Sequence, residues 1–535
     1  MSLGPPPDRA LDSALGAMTA EELRAFVRDV LEDLDDKPYR ALADALISRA
    51  AKGRGGWRPP GPSPGLAGEV GRFADAARDA GYASPDEVDD YLRQGSQAFL
   101  AGDHAAARAV FETLLPPIGD GEIDLGQHEM VDEVLTVDEY ACAAQYVTSV
   151  YLTTPLKKRA EAVWGALHAV QGVAPVGAPL EQMERVATDP LPDFDAFLAR
   201  WVKLLEGQPP SKNAWEGDRD RWLREAVMRL EGIAGLERIA RTTRKPEALR
   251  AWCDALVAAG NWTAALQAYD VAAEHAGASH WQGHFLDGAA LAARELARPD
   301  AGTRLEAAWR GAPSLVRLQR WLGAGNPAGM PLDQRARAAV GRCPRTAGRQ
   351  LGLLHLLTGK VGAAARLLAK APGLGWSSEE HPGHVLFPAF AGLLAPGAAA
   401  KLSAEIFRSL AEQSRDASEL DWDDGDEGRP KLTTPTIAAL IEAAGVAAHV
   451  GAKDRAAMLE AMRAVATRRV EGILGNKRRR HYGHAAVLVA CCLELAPVSP
   501  KPEGLAKWAG ELCKKYARFS AFQAEYRRAL ALIAS

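Results

Sequence analysis

The 535-residue chain has almost no runs of alternating β-branched residues. That lack argues against βαβ and β-sandwich architectures, and with them against the strand ends on which most phosphate cradles are built. Neither GxxxxGK[ST] nor a strand-following GxGxxG occurs, so the common nucleotide-binding classes have no footing. GxSxG occurs once, as Gly61-Pro62-Ser63-Pro64-Gly65. A serine held between two prolines does not form the strand-to-helix elbow that activates a nucleophile. Cysteine is scarce: Cys142, Cys253, Cys343, Cys491, Cys492 and Cys513 are the six, with no CxxC among them. This is not a secreted disulfide framework, and a reducing cytoplasm is the expected compartment. Cys491 and Cys492 are adjacent, so on a helix they point about 100° apart and do not form a chelating pair. Long apolar runs are missing as well. The most apolar stretch, residues 485–496, contains Glu494 and is too short to cross about 30 Å of hydrocarbon at about 1.5 Å per residue. Residues 1–7 have no basic segment leading into an apolar one, so neither a signal peptide nor a membrane anchor is expected. Excess charge is small too: 64 Lys and Arg against 68 Asp and Glu leave −4. No global field draws the whole molecule onto nucleic acid or an anionic membrane.

What remains is Leu, Ala, Arg and Glu in helical periodicity, punctuated by Gly and Pro. The pattern is all-α. Thr19 is placed to cap a helix, Glu21 and Glu22 suit its N-terminal dipole, and Leu23, Phe26, Val27, Val30, Leu31 and Leu34 form one apolar stripe. A two-helix N-terminal unit is expected to end near Ala51 and to move independently on the Gly/Pro-rich linker that follows.

Beyond the linker, helical hairpins recur. Tyr91, Gly95, Ala98, Gly102-Asp103, Ala107, Phe111 and Leu114 fill a tetratricopeptide-like (TPR-like) pattern. Small residues let two helices approach, Gly102 takes the turn and Phe111 fills the groove toward the next hairpin. A second match has Leu256, Gly260-Asn261-Trp262, Ala265, Tyr269 and Ala272 at the same offsets. A third has Leu351, Gly352, Gly359-Lys360-Val361, Ala364, Leu368 and Ala371, with Pro372 as a stop. A marginal fourth surrounds Gly451 and Ala456. The turn glycines do not fall at multiples of one repeat unit. The expected architecture is therefore an irregular right-handed solenoid of helical hairpins, with an unrelated helical assembly as the alternative.

The expected organisation is an N-terminal helical unit over 1–51, a Gly/Pro-rich linker over 52–66 and helical-repeat regions over 67–206 and 207–414. An acidic loop over 415–432 and a basic helical region over 433–535 complete it. Residues 372–388 read as a loop containing His381 and His384. The acidic tract around Trp422 has the carboxylate density of a calcium loop without its spacing, and reads as a solvated loop.

Candidate chemistry is sparse. His280 and His284 are four apart, with Glu274 and His275 upstream, but no third ligand follows at a defined spacing and Gly277 and Gly283 interrupt the helix. Glu379, Glu380, His381 and His384 are interrupted by Pro382-Gly383. Neither a metal site nor a cofactor is expected. Trp252, Trp262, Trp281 and His355 are the candidate partner-binding positions on the second and third hairpins, with core packing as the plainer reading. Residues 463–535 hold 14 Lys and Arg against 5 Asp and Glu. Within them Lys477, Arg478, Arg479 and Arg480 are the candidate contacts for nucleic acid or another anionic partner, and Tyr482, Tyr516, Phe519, Phe522 and Tyr526 could stack beside them. The plainer reading makes the cations a solvated rim and the aromatics the packing of the last hairpin.

Residues 20–51, the hairpin 102–114, Leu315, Leu318 and Trp321 after Gly311-Ala312-Pro313-Ser314, and Arg480-His481-Tyr482-Gly483-His484-Ala485-Ala486 occur in an order that resembles the helical region accompanying SWIM-type zinc fingers in large bacterial proteins. The zinc pattern of that family, CxC followed by CxH, is absent, so neither its metal nor a nucleic-acid role carries over. The resemblance implies a helical interaction scaffold. A non-enzymatic protein–protein interaction scaffold or regulatory subunit, with protein partners and no membrane, is therefore the leading expectation. The alternatives are a nucleic-acid-associated protein using the C-terminal basic segment, and a bacterial defence or signalling component cut at the linker near Pro60 or the acidic loop near Trp422.

Overall fold

The computed structural model describes residues 8–53, 55–128, 130–211, 216–277, 279–325, 330–394, 430–499 and 502–534. The acidic tract with Trp422 lies outside them. Among the described residues the chain is all-helical, and its one β feature is an isolated bridge between Tyr82 and Asp124. No described helix is long and apolar enough to cross a membrane. The chain divides into two compact units, 1–248 and 249–535.

The first unit contains α1 (Asp8–Ala17), α2 (Ala20–Glu32), α3 (Asp36–Lys52), α4 (Leu66–Ala80), α5 (Pro85–Ala101), α6 (His104–Gly119), α7 (Glu139–Thr153), α8 (Arg159–Ala169), α9 (Pro179–Val186), α10 (Phe194–Gly207), α11 (Asp218–Glu231) and α12 (Ile233–Thr243). At α2 the Thr19 hydroxyl accepts from the Glu22 amide at 3.2 Å, and the Glu22 carboxylate accepts from the Thr19 amide at 2.7 Å. This reciprocal capping box satisfies two donors that the first turn leaves open. The apolar stripe of α2 is not covered: no residue of this helix is buried. The N-terminal segment holds three helices rather than two, since α1 precedes the expected pair.

The expected independence of residues 1–51 meets several tethers. Asp44 and Arg40 of α3 pair with Arg93 and Asp90 of α5 at 2.8 and 3.3 Å. In the linker, Pro59 is buried, and Arg58 donates to the Ala51 carbonyl and pairs with Asp189 at 3.0 Å.

The hairpin of α5 and α6 shows why its small residues are needed. A Cβ on Gly95 would stand 3.0 Å from Val110 and 3.1 Å from the Phe111 ring. Gly102 turns with φ +91°, and the Asp103 carboxylate caps α6 by accepting from the Ala106 amide. Farther along, the Phe197 and Trp201 rings stack at 6.0 Å, and Trp222 donates its indole N–H to the Val176 carbonyl at 2.9 Å.

Helix α13 (Pro246–Ala258) crosses the division. The second unit continues with α14 (Trp262–Ala276), α15 (His280–Glu295), α16 (Ala301–Gly311), α17 (Leu315–Gly323), α18 (Leu332–Val340), α19 (Gly348–Leu357), α20 (Val361–Lys370) and α21 (Gly383–Leu394). It ends with α22 (Ile437–Ala443), α23 (Ala452–Gly475), α24 (Tyr482–Glu494), α25 (Pro502–Lys515) and α26 (Ser520–Ala534). The turns after α13 and α19 pass through Gly260 and Gly359 at φ +68° and +72°. Consecutive helices α14 to α17 pack pairwise, as do α19 and α20, whereas α20 also packs on the distant α23. Gly352 makes room for Leu386 of α21 rather than for its own hairpin partner. Gly451 has φ −81° and opens the 24-residue α23, so the fourth match is not a turn of the same kind.

One expectation is corrected. Residues 383–388 are not loop but the start of α21, and Pro388 lies inside that helix. Proline removes an N–H from the helical ladder, yet nine of the twelve residues here are buried, and packing holds the helix through the missing bond.

Candidate functional site

A hollow of about 830 Å³ in the second unit lies between α17, α21 and α22. Its position follows from local chemistry. Ser314 caps α17 by accepting from the Arg317 amide at 3.2 Å, which presents Leu315, Val316 and Gln319 along one wall. Thr436 caps α22 in the same way through the Ala439 amide at 3.1 Å, placing Ile437 and Ile441 on the second wall. Pro388, Ala389 and Gly392 of α21 form the third and are half-exposed there. The segment before α22 is pinned to α17: the Gln319 amide donates to the Pro435 carbonyl at 2.9 Å, and Arg320 donates to the Thr434 hydroxyl at 2.9 Å. At Gly323 a side chain would collide with the Pro435 ring, so glycine permits this close approach. The volume falls in the range of small-molecule and peptide pockets, and the walls are mainly aliphatic.

Next to the groove, Trp376 is buried among His381, His384, His484 and Arg469. His381 uses both ring nitrogens on backbone: Nε2 lies 2.9 Å from the Pro372 carbonyl, and Nδ1 accepts from the Gly383 amide at 3.0 Å. Burial pushes its pKa down to about 4, so the ring is neutral and serves as a strut for the turn into α21. Arg469 donates to His484 Nδ1 at 3.1 Å and to the Gly373 carbonyl at 3.1 Å. Burial, and then the neighbouring Arg478, lowers its pKa to about 10. Burial together with Arg469 holds His484 well below the usual histidine range. Among the described residues no three His, Cys, Asp or Glu side chains come together in a metal-binding arrangement.

The residues singled out from sequence are scattered. Trp252 and Trp281 are buried, Trp281 stacking on Phe285 at 6.2 Å, while Trp262 and His355 are half-buried. None of the four lines the large groove. His284 is half-buried beside Trp281 and Phe285, and desolvation lowers its pKa. His275 is exposed beyond the break at Gly277.

Lys477, Arg478, Arg479 and Arg480 do form one feature, the turn between α23 and α24. Lys477 sits at φ +52°, with its amide donating to the Leu474 carbonyl and that of Arg478 to the Ile473 carbonyl. This wraps the helix end and projects the basic run. All four residues are exposed, and none is in an ion pair among the described residues. Of the aromatics near it, Tyr482 and Phe522 are buried and meet edge-on at 6.2 Å, and Tyr516, Phe519 and Tyr526 are half-buried against the core.

Compared with known protein families and with curated proteins, the chain matches none. The groove walls went unread in the sequence because they come from three distant segments. The one local signal is the apolar run around Pro388, too hydrophobic for a surface loop.

Proposed function

We propose that this protein is a non-enzymatic scaffold, an irregular right-handed solenoid of TPR-like hairpins related to the helical region of SWIM-type proteins. In this reading its second unit holds an apolar segment of a protein partner in the groove between α17, α21 and α22. The groove carries the proposal: about 830 Å³ walled by helices and aliphatic side chains, beside histidines and arginines engaged in holding backbone. A rigid apolar groove takes up an amphipathic helix or extended peptide through burial of area. Ala389→Trp fills the groove from a half-exposed position. Nuclease-treated native lysate should yield one stoichiometric protein on the wild-type chain that is lost on a folded Ala389→Trp chain. Equal recovery on both would sink the proposal.

The exposed basic turn supports a second reading, contact with nucleic acid or another polyanion. Fluorescence anisotropy with single-stranded RNA and duplex DNA tests it. Binding should weaken steeply with salt and vanish when Lys477, Arg478, Arg479 and Arg480 are all changed to Ala. Salt-insensitive binding, or none, removes this reading.

A further inference from the structure

The four exposed cations of residues 477–480 stand next to a fifth that the fold has buried. Arg469 of α23 is only 6% exposed. Its guanidinium lies over the Trp376 ring, with Nε donating to His484 and Nη1 to the Gly373 carbonyl. Among the described residues no carboxylate pairs with it and Nη2 has no acceptor, yet Nη2 is not sealed from the surface. Buried charges are normally paired with an opposite charge. This one is not.

His484 belongs to the first turn of α24, so its bond to Arg469 places that guanidinium at the N-terminal end of the helix. His481, at the N-cap, gives no side-chain cap, and the first turn carries no acid. The end of this 13-residue helix therefore keeps its partial positive charge, about half a unit. Arg479, Arg480 and His481 form the 3₁₀ turn that leads into it, and Arg480 Nε lies 3.2 Å from His481 Nε2. The like charges press on one another. Burial, then Arg469, Arg480 and Arg478, hold His481 below the usual histidine range, and Arg478 adds to burial in lowering Arg469. The acid that comes close to Gly483, Glu525 of α26, is already taken by Arg528 at 3.0 Å. Cations at a helix N-terminus oppose its dipole, so this arrangement gains nothing for the fold. An oxyanion would reverse the sign of every one of those contacts.

We propose that the α24 N-terminus, with Arg469 at its base and Arg478 and Arg480 at its rim, is a binding site for one phosphate monoester group. Its oxygens accept from Arg469 Nη2 and from the two exposed guanidiniums. A monoester carries about −1.5 to −2 at neutral pH, against about −1 for each backbone diester, so a compact cluster of cations favours the monoester. Resting on the second reading of the basic turn, the site narrows its partner to a terminal phosphate, free or on a nucleic-acid strand, in place of a diester backbone.

The test joins calorimetric titration of the full chain with inorganic phosphate to fluorescence anisotropy with one RNA strand carrying either a 5′-phosphate or a 5′-hydroxyl. Phosphate should bind saturably below about 10 mM, and the 5′-phosphate strand should bind at least tenfold more tightly than the 5′-hydroxyl strand. Arg478→Gln combined with Arg480→Gln changes two exposed side chains and should weaken phosphate tenfold or more and remove the preference between strand ends. Arg469→Lys keeps the charge without the fork and should weaken phosphate several-fold. Phosphate binding lost in the double variant, with neither strand bound, supports the site and names a free phosphate-bearing molecule as its ligand. Equal affinity for the two strands, lost when Lys477, Arg478, Arg479 and Arg480 are all changed to Ala, leaves backbone contact standing and overturns the monoester site. No saturable binding of phosphate, or phosphate binding unchanged in the double variant, overturns it as well. If Arg469→Lys fails to fold, the exposed pair and the two strand ends still decide.

Discussion

Two hollows among the described residues, one in each unit, are built on opposite principles. The groove between α17, α21 and α22 is broad and aliphatic, with Gln319 and Arg320 spent on pinning the segment Thr434-Pro435 to α17. The pocket between α3, α5 and α7 is half the size, and side-chain charges shape it. An apolar wall rewards any surface of roughly the right shape, because hydrophobic attraction has no direction. A network of buried charges fixes distances and angles, and it penalises an occupant that leaves one of its groups unpaired. The first tolerates many shapes against it, the second few.

Asp89→Ala would break that contrast most severely. Asp89 is 1% exposed and accepts from the Thr136 amide at 3.0 Å, the Val137 amide at 3.1 Å and the Thr136 hydroxyl, with Arg93 beside it. Removing it strands those three donors, while Arg93 keeps Asp44, at a cost of about 3 kcal/mol or more. Urea unfolding should show the loss in the first unit. A change below about 1 kcal/mol would mean that the network does not hold the pocket's shape.

Acid should separate the two regions next. His381 has its pKa lowered by burial from 6.5 to about 4, and His484 is depressed further by burial and Arg469. Below pH 6.5 the unfolded chain takes up protons that these folded rings refuse, so their contribution is intact above that pH and is lost as pH falls toward 4. At pH 5 the loss from His381 alone is on the order of 2 kcal/mol. Half-buried carboxyls of the first unit, Glu216 and Glu225, are shifted upward by desolvation and push the other way. Hydrogen exchange at pH 7 and pH 5, corrected for intrinsic rates, should show α21 and α24 loosening first. Equal loosening of both units would contradict this.

Leu393→Ala in the groove wall should cost about 2 kcal/mol, the low end for a buried leucine, because the site already borders empty space. Chemical denaturation measures it, and a loss near 5 kcal/mol would show the groove to be closed in solution. Thr19→Ala should be mildest, about 1 kcal/mol of helix stability confined to α2. Amide exchange should rise there and nowhere else.

The helices were legible where local chemistry decides them. Thr19 with Glu22 marks the start of α2, and Gly102 with Asp103 marks the turn before α6, because capping and positive φ select few residue types. Gly95 was legible on another ground, close helix packing: a Cβ there would press on Val110 and Phe111. Pro388 misled, since proline stops a helix only when tertiary packing does not outweigh the lost hydrogen bond. Burial of the α2 stripe could not be read either: amphipathicity states which face would be covered, not whether anything covers it. Both hollows escaped for a topological reason. Arg93 and Gln145 look like ordinary helical residues until α3, α5 and α7 meet, and Leu315 gains meaning only beside Pro388 and Ile441.

The hydrogen bond from Gln319 to Pro435 joins residues 116 positions apart. At a translation rate of roughly 5–20 residues per second, α17 emerges about 6–23 seconds before the segment that completes its wall. During that interval the wall of α17 that holds Leu315 and Val316 lacks the surface that will face it. The speed of synthesis between the two points sets how long that wall stays open.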